Sequence, residues 1–275
     1  MQKYIMVYAL VLFFFFSGCN TKNEGGNKSV KHIPQVITKT YEKHFGNCEK
    51  ASSDTCAKIV INAFEIKNPW NNEIQTVINS KMKSILLAPI EEGKNYKNID
   101  DMMNDFIESY KKIKVEFPGA SRQWEIERTA KIKYINQDFI SAEYSEYSYL
   151  GGAHPNSYLK FENVNLHSAD KIELRDILIP GFENELNLIT EGIFRQKKKL
   201  GKDDNLEEKG YWFTDNKFKL NDNFGIDDKG LYFYFNSYEI APYVVGPTEL
   251  FIPYSKISNL IRGDGILNSF IHTKN

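Results

Sequence analysis

Residues 1–18 are the sequence feature that most constrains how this chain can fold, because they indicate the compartment in which the rest must fold. Lys3 supplies a small positive charge, and residues 4–16 are almost entirely apolar. That run is short beside the ~20 residues of a typical membrane-spanning helix. Ser17 and Gly18, both small, follow it. This order predicts a secretory signal peptide over residues 1–18, and therefore folding outside the cytoplasm.

Cys19 comes directly after these small residues, as in a bacterial lipobox. The pattern predicts a diacylglyceryl thioether on Cys19, cleavage before it, and acylation of the new amino terminus by a palmitate-like chain. Two or more acyl chains anchor a protein stably. The sequence thus predicts a lipoprotein of the bacterial cell envelope whose partner is a membrane, at the periplasmic face of an outer membrane or the cell surface. An ordinary signal peptide with a chance cysteine is the alternative.

Charge and composition exclude several classes of function. The formal net charge is −1, so there is no electrostatic case for a nucleic-acid partner. Hydrophobic residues make up 41% and charged residues 26%, a balance typical of globular domains. No second apolar run reaches the ~18 residues that a transmembrane helix needs.

Cys48 and Cys56 remain as a pair once Cys19 is lipidated. An exported protein meets an oxidising compartment, so a Cys48–Cys56 disulfide is expected. Two free thiols are the alternative. A zinc site is disfavoured because no second cysteine or histidine pair accompanies them. The histidines also lack the spacing of metal motifs, so we expect no metal and no cofactor.

Hydrophobic periodicity predicts an α+β protein, with helices packed on mostly antiparallel sheets. We assign a flexible linker to residues 19–45, a first module to 46–150 and a second module to 151–265. The predicted strands are 57–66, 123–135, 139–150, 157–165, 171–174 and 249–253, with a hairpin over 223–235. The predicted helices are one opening at Asn68-Pro69, and 100–113, 181–200 and 255–261.

Two longer motifs carry a family resemblance. The first is Tyr-Leu-Gly-Gly-Ala-His-Pro-Asn at 149–156, and the second runs from Tyr238 to Tyr254 as YEIAPYVVGPTELFIPY. With the Leu-Arg-Asp segment at 174–176, they make the chain similar to the RsiV-like and PdaC-type domain family of bacterial envelope proteins. The resemblance covers roughly residues 56–261. It implies a two-module recognition unit like the extracellular part of a lysozyme-sensing anti-sigma factor, without signalling or deacetylase activity.

The candidate ligand-binding residues lie in these motifs: His154, Asn156, Tyr238, Glu239 and Tyr243. The alternative for His154 is structural, a carbonyl contact that locks the junction between modules. The alternative for Glu239 and the tyrosines is also structural: Glu239 pairs internally, and the tyrosines cover the sheet of the second module. No Pro-, Gly- and Ser-rich hinge separates the two modules. We therefore expect one compact unit, with His154 within side-chain reach of the Tyr238–Tyr243 segment. We expect Tyr144, Tyr147 and Tyr149 to share one strand face, which is either a core face or a stacking platform for sugar.

We therefore expect a non-enzymatic envelope lipoprotein that binds a protein or glycan ligand, either lysozyme-like or derived from peptidoglycan. No catalytic residue is assigned. One alternative is a cell-wall hydrolase that uses His154 with a nearby carboxylate, for which Glu143, Glu146 and Glu239 are the candidates. Another is a structural or assembly lipoprotein.

Overall fold

The computed structural model describes residues 33–48, 56–67, 71–118 and 122–272. The predicted signal peptide, Cys19 and the first part of the predicted linker lie outside these residues. Within the described part of the chain, no helix is both long and apolar enough to cross a membrane.

Five long strands form the first sheet in the order β1-β2-β3-β4-β5. Neighbouring strands are antiparallel, except that β2 and β3 are parallel. The bounds are β1 Gln35–Gly46, β2 Cys56–Lys67, β3 Trp124–Ile135, β4 Phe139–Leu150 and β5 Asn156–Asn165. Alternation of apolar and polar residues leaves one face for a core and the other for solvent or a second layer.

Two helices, α1 Asn72–Leu86 and α2 Ile99–Glu116, connect β2 to β3. A parallel strand pair needs such a crossover. Asn71 and Asn98 begin the helices, because each side chain accepts a hydrogen bond from a first-turn N–H group. The apolar stripes of both helices are buried against one face of the sheet. The buried residues are Ile78, Met82, Leu86, Ile99, Met102, Met103, Phe106, Ile107 and Tyr110.

The second unit wraps helices around a sheet of three antiparallel strands, β6 Phe224–Ile226, β7 Gly230–Phe235 and β8 Thr248–Pro253. Its helices are α3 Leu174–Ile177, α4 Glu183–Lys198, α5 Tyr254–Ile257 and α6 Asn268–His272. Phe194 of α4 is fully buried, with ring centroids of Tyr211, Phe218 and Phe213 at 4.9, 5.2 and 5.6 Å. These four rings form an aromatic group in the core of the second unit.

The two sheets meet along β4 and β5. Ile226 of β6 donates its backbone N–H to the hydroxyl of buried Ser141 at 3.0 Å, and Asn163 donates to the carbonyl of Phe224 at 2.7 Å. Asn223 accepts a hydrogen bond from the backbone of Phe161 at 2.8 Å. The units are therefore joined by hydrogen bonds at a strand edge, as well as by apolar contact.

The structure confirms the α+β class and the disulfide between Cys48 and Cys56, which links the end of β1 to the start of β2. It corrects two boundaries. Residues 35–45 were assigned to the linker but form most of β1, because they pair along their whole length with β2. Residues 156–165 were assigned to the second module, but β5 is the fifth strand of the first sheet, paired with β4.

The bounds of several smaller elements also differ from those predicted. Residues 171–174 are not a strand, since only Lys171 bridges to Val164 before α3 begins. Helix α1 begins at Asn72, and Pro69 lies outside the described residues. The predicted helix 255–261 is shorter, and α6 was not predicted.

The three β4 tyrosines do not share a face. Successive strand residues point to opposite sides, so Tyr144 is buried against the helices whereas Tyr147 is 38% exposed.

Candidate functional site

The turn between β4 and β5 presents His154 at the surface. Gly151 has φ +78°, a conformation that glycine adopts at no steric cost. Pro155 fixes the chain as it enters β5. The His154 side chain is exposed, and its Nδ1 lies 2.9 Å from the carbonyl oxygen of Pro155. His154 is thus held by its own turn rather than by a buried partner.

The segment between β7 and β8 places two tyrosines, Tyr238 and Tyr243, beside His154. Tyr238 is 52% exposed and has φ +66°, which is unfavourable for a large side chain. Glu239 stabilises this turn, because its carboxylate accepts from the backbone of Asn236 at 2.8 Å and from the side chain of Asn221 at 2.6 Å. A short 3-10 turn, Tyr243–Val245, then leads towards β8.

His154, Tyr238 and Tyr243 form one group of rings, which we call the aromatic cluster. The rings of His154 and Tyr243 are stacked with centroids 4.0 Å apart, and those of Tyr238 and Tyr243 are 5.6 Å apart. The hydroxyl of Tyr243 donates to the carbonyl of Pro155 at 2.9 Å, and that of Tyr238 lies 3.4 Å from Nε2 of His154. The expected reach from His154 to the Tyr238–Tyr243 segment is therefore confirmed.

The other two candidate residues do not join the cluster through side-chain contacts. Asn156 is exposed at the start of β5, opposite Ser148 of β4. Glu239 is hydrogen-bonded by Asn221 and Asn236, so the internal pairing expected for a structural role is present. Glu239 supports the turn that presents Tyr238.

Residues beyond the five candidates extend the surface. Val244 is 91% exposed directly after Tyr243. Tyr147 of β4 lies close enough to the cluster that burial, Glu125 and Tyr243 together raise the pKa of its phenol. Burial, and secondarily Glu239, likewise raise the pKa of Tyr158 on β5. Strand periodicity alone would have placed Tyr147 and Tyr149 on one face, apart from Tyr144.

The partners of His154 among the described residues are uncharged groups. No carboxylate of the described residues hydrogen-bonds or ion-pairs with His154, whose ring nitrogens contact Pro155 and Tyr238. In the same part of the chain, no group of three or more histidine, cysteine, aspartate or glutamate residues could hold a metal ion.

The fold and this surface define an α+β protein of two joined units with an exposed aromatic cluster between them. Two family models match consecutive parts of the chain: Deacetylase PdaC over residues 50–157, and Protein of unknown function DUF3298 over residues 175–255. The chain therefore belongs to a PdaC/DUF3298-type family. The aromatic cluster combines His154 from the first matched region with Tyr238 and Tyr243 from the second.

A curated relative is the peptidoglycan-N-acetylmuramic acid deacetylase PdaC of Bacillus subtilis, 23% identical over 215 residues. The match covers 74% of this chain but only 44% of the relative, so the chain spans less than half the length of that protein.

Solved structures of DUF3298 proteins share the fold. A Bacteroides fragilis member has a TM-score of 0.69 at 18% identity, over 86% of this chain and 97% of that one. A Pseudomonas aeruginosa member has a TM-score of 0.63 at 17% identity, over 84% and 96%.

Proposed function

We propose that this protein is a non-enzymatic binding module of the bacterial cell envelope, held at a membrane by a lipid on Cys19, and that the aromatic cluster binds a glycan derived from peptidoglycan. The supporting observation is the exposure of neighbouring rings where the two units meet, with Tyr238 52% exposed beside the stacked pair of His154 and Tyr243. Aromatic side chains provide large contact areas at a small entropic cost, and the tyrosine hydroxyls add hydrogen bonds.

The choice of ligand draws on the relatives and on the chemistry of the surface. The name of the curated relative specifies peptidoglycan as the material on which that enzyme acts. Sugar rings present C–H faces that pack on aromatic rings, and their hydroxyls suit the polar rim of tyrosines. A lysozyme-like protein is the second ligand that the family resemblance implies, and it belongs in the same test.

The hydrolase alternative has no comparable support. That alternative pairs His154 with a nearby carboxylate, so the carboxylate should lie within hydrogen-bonding distance of the imidazole. The contacts of His154 are with a backbone carbonyl and a phenol. Glu239, the candidate carboxylate nearest in sequence to the tyrosines of the cluster, is engaged by Asn221 and Asn236.

Retention assays test the proposal. Full-length protein in detergent is immobilised and incubated with soluble peptidoglycan fragments or with lysozyme. We expect fragments to be retained, and retention to be lost in Tyr243→Ala. Phe251→Ala is the matched control, because Phe251 is 37% exposed but contacts Tyr232 instead of the cluster. If the unmutated protein retains neither ligand, the proposed function is wrong.

A further inference from the structure

One face of the first sheet is covered by the second unit only near β5. Helices α1 and α2 pack on one side, where Ile126, Arg128 and Tyr144 are buried. On the other side the second unit covers Ser141 and Phe161. Further along the same strands, that side is exposed or half-buried. We call this region the open face, defined by Glu125, Glu127, Tyr147 and Tyr149 on β3 and β4.

The open face continues the aromatic cluster. Tyr147 and Tyr149 alternate along β4 just before the turn that carries His154. In the strand register Tyr147 lies opposite Glu127, and Tyr149 lies opposite Glu125. Cross-strand neighbours of this kind have Cβ atoms about 5 Å apart. Two carboxylates therefore stand beside two exposed or half-exposed tyrosines, next to the three rings of the cluster.

The charges of this face are not balanced. Lys58 lies opposite Glu125 in the β2–β3 register, but its Nζ pairs with Glu42 on β1 at 3.5 Å. Glu143 pairs with Lys131 at 2.7 Å. Among the described residues, no lysine, arginine or histidine forms an ion pair with Glu125 or Glu127. Glu127 receives only weak hydrogen bonds, from Asn62 at 3.4 Å and from Thr129 at 3.5 Å. A ligand that brings positive charge to these carboxylates would complete their interactions.

We propose that the open face and the aromatic cluster together select a cell-wall glycan whose sugars carry free, protonated amino groups in place of acetamido groups. This inference rests on the proposed function and names the class of glycan. The sugar faces stack on Tyr243 and Tyr147. The ammonium groups lie against Glu125 and Glu127, where the neighbouring rings add cation–π attraction. An acetylated sugar has the same ring faces but offers no charge.

A matched pair of oligosaccharides tests this selection. Tetramers of glucosamine and of N-acetylglucosamine have the same length and linkage and differ only in the acetyl groups. Full-length protein in detergent is titrated with each by calorimetry, at mildly acidic pH and low salt. We expect the glucosamine tetramer to bind roughly tenfold more tightly, as two exposed ion pairs would give. Added salt should reduce the difference.

The variant Glu125→Gln/Glu127→Gln should abolish the preference and leave binding of the acetylated tetramer unchanged. Glu108→Gln is the control, because Glu108 is an exposed carboxylate on helix α2, on the opposite side of the sheet, where it pairs with Lys111. Equal binding of both tetramers by the unmutated protein would overturn the inference while the proposed function stands. A preference that survives the double variant would overturn it as well. Binding of neither tetramer, with lysozyme retained through the same glutamates, would reject the glycan in favour of a basic protein.

Discussion

The side chain of Asn236 binds both backbone groups of Leu159. Its Oδ1 accepts from the Leu159 N–H at 2.7 Å, and its Nδ2 donates to the Leu159 carbonyl at 3.0 Å. Asn223 donates to the same carbonyl at 2.8 Å. Leu159 lies on β5, the last strand of the first sheet, whose outer edge would otherwise expose unpaired groups. An amide side chain of the second unit thus acts in place of a sixth strand.

Asn236→Asp tests this role. The substitution keeps the size of the side chain but replaces the donor with an oxygen, which then faces the Leu159 carbonyl. We expect a loss of about 1–3 kcal/mol in the free energy of unfolding, measured by urea denaturation. The loss should shrink at acid pH, because a protonated carboxyl regains a donor. Asn184→Asp, at an exposed position in the first turn of α4, should cost nothing.

Arg128 provides the second prediction. It is 1% exposed; its Nε donates to Glu146 at 2.7 Å, and its Nη1 donates to the carbonyls of Leu86 and Ala88 at 2.8 and 2.6 Å. These carbonyls close the end of α1. Arg128→Lys cannot reproduce the fork of donors, and we expect a loss of about 2–4 kcal/mol in urea denaturation. Arg175→Lys should change stability by less than about 1 kcal/mol because its pair with Glu173 is largely exposed.

The sequence predicted the β3–β4 hairpin closely, because alternation is strong on both strands and Asn136 begins a turn between them. Helix α2 was predicted for a similar reason, a long apolar stripe. Strand β5 was assigned to the wrong unit, since Gly151-Gly152 is equally compatible with a turn inside a sheet and a break between domains. Residues 35–45 were taken for a linker because β1 is an edge strand with polar residues on both faces.

The site was only partly predictable. The approach of His154 to the tyrosines could be anticipated from the absence of a hinge. The left-handed backbone of Tyr238 could not, because no glycine marks it and the turn depends on Glu239 binding Asn221, 18 residues earlier. The charge imbalance at Glu125 and Glu127 depends on strand register, which a single sequence specifies weakly.

The third prediction concerns the anchor. Cys19→Ala should remove the proposed lipid attachment, so that the variant no longer partitions into the detergent phase in a phase-separation assay. The matched control is Cys48→Ala/Cys56→Ala, which removes the disulfide but leaves Cys19 in place. Unchanged partitioning of Cys19→Ala would mean that another segment holds the protein at the membrane.

Alkaline pH should destabilise the fold through its half-buried tyrosines. Burial, with a hydrogen bond to Asp105, raises the pKa of Tyr96 to about 12, against ~10 in an unfolded chain. The folded state holds this proton more tightly, so its contribution to stability is complete below pH ~10 and is lost as the pH rises through about 12. Tyr96→Phe should therefore lose less stability across this range, in urea denaturation at stepped pH. An equal loss in both proteins would contradict the assignment.

Tyr238→Gly separates the structural and binding roles of the aromatic cluster. Tyr238 holds φ +66°, a conformation that costs a non-glycine residue about 1–2 kcal/mol. Glycine removes that cost, so the variant should be as stable as the unmutated protein, or slightly more stable, while lacking the exposed ring. Lys199→Gly is the matched control, because Lys199 has φ +57° at the end of α4. It should gain similar stability and keep full binding of peptidoglycan fragments. If Tyr238→Gly also keeps full binding, the ring is not part of the ligand surface, and the unfavourable backbone at Tyr238 serves only the turn that Glu239 stabilises.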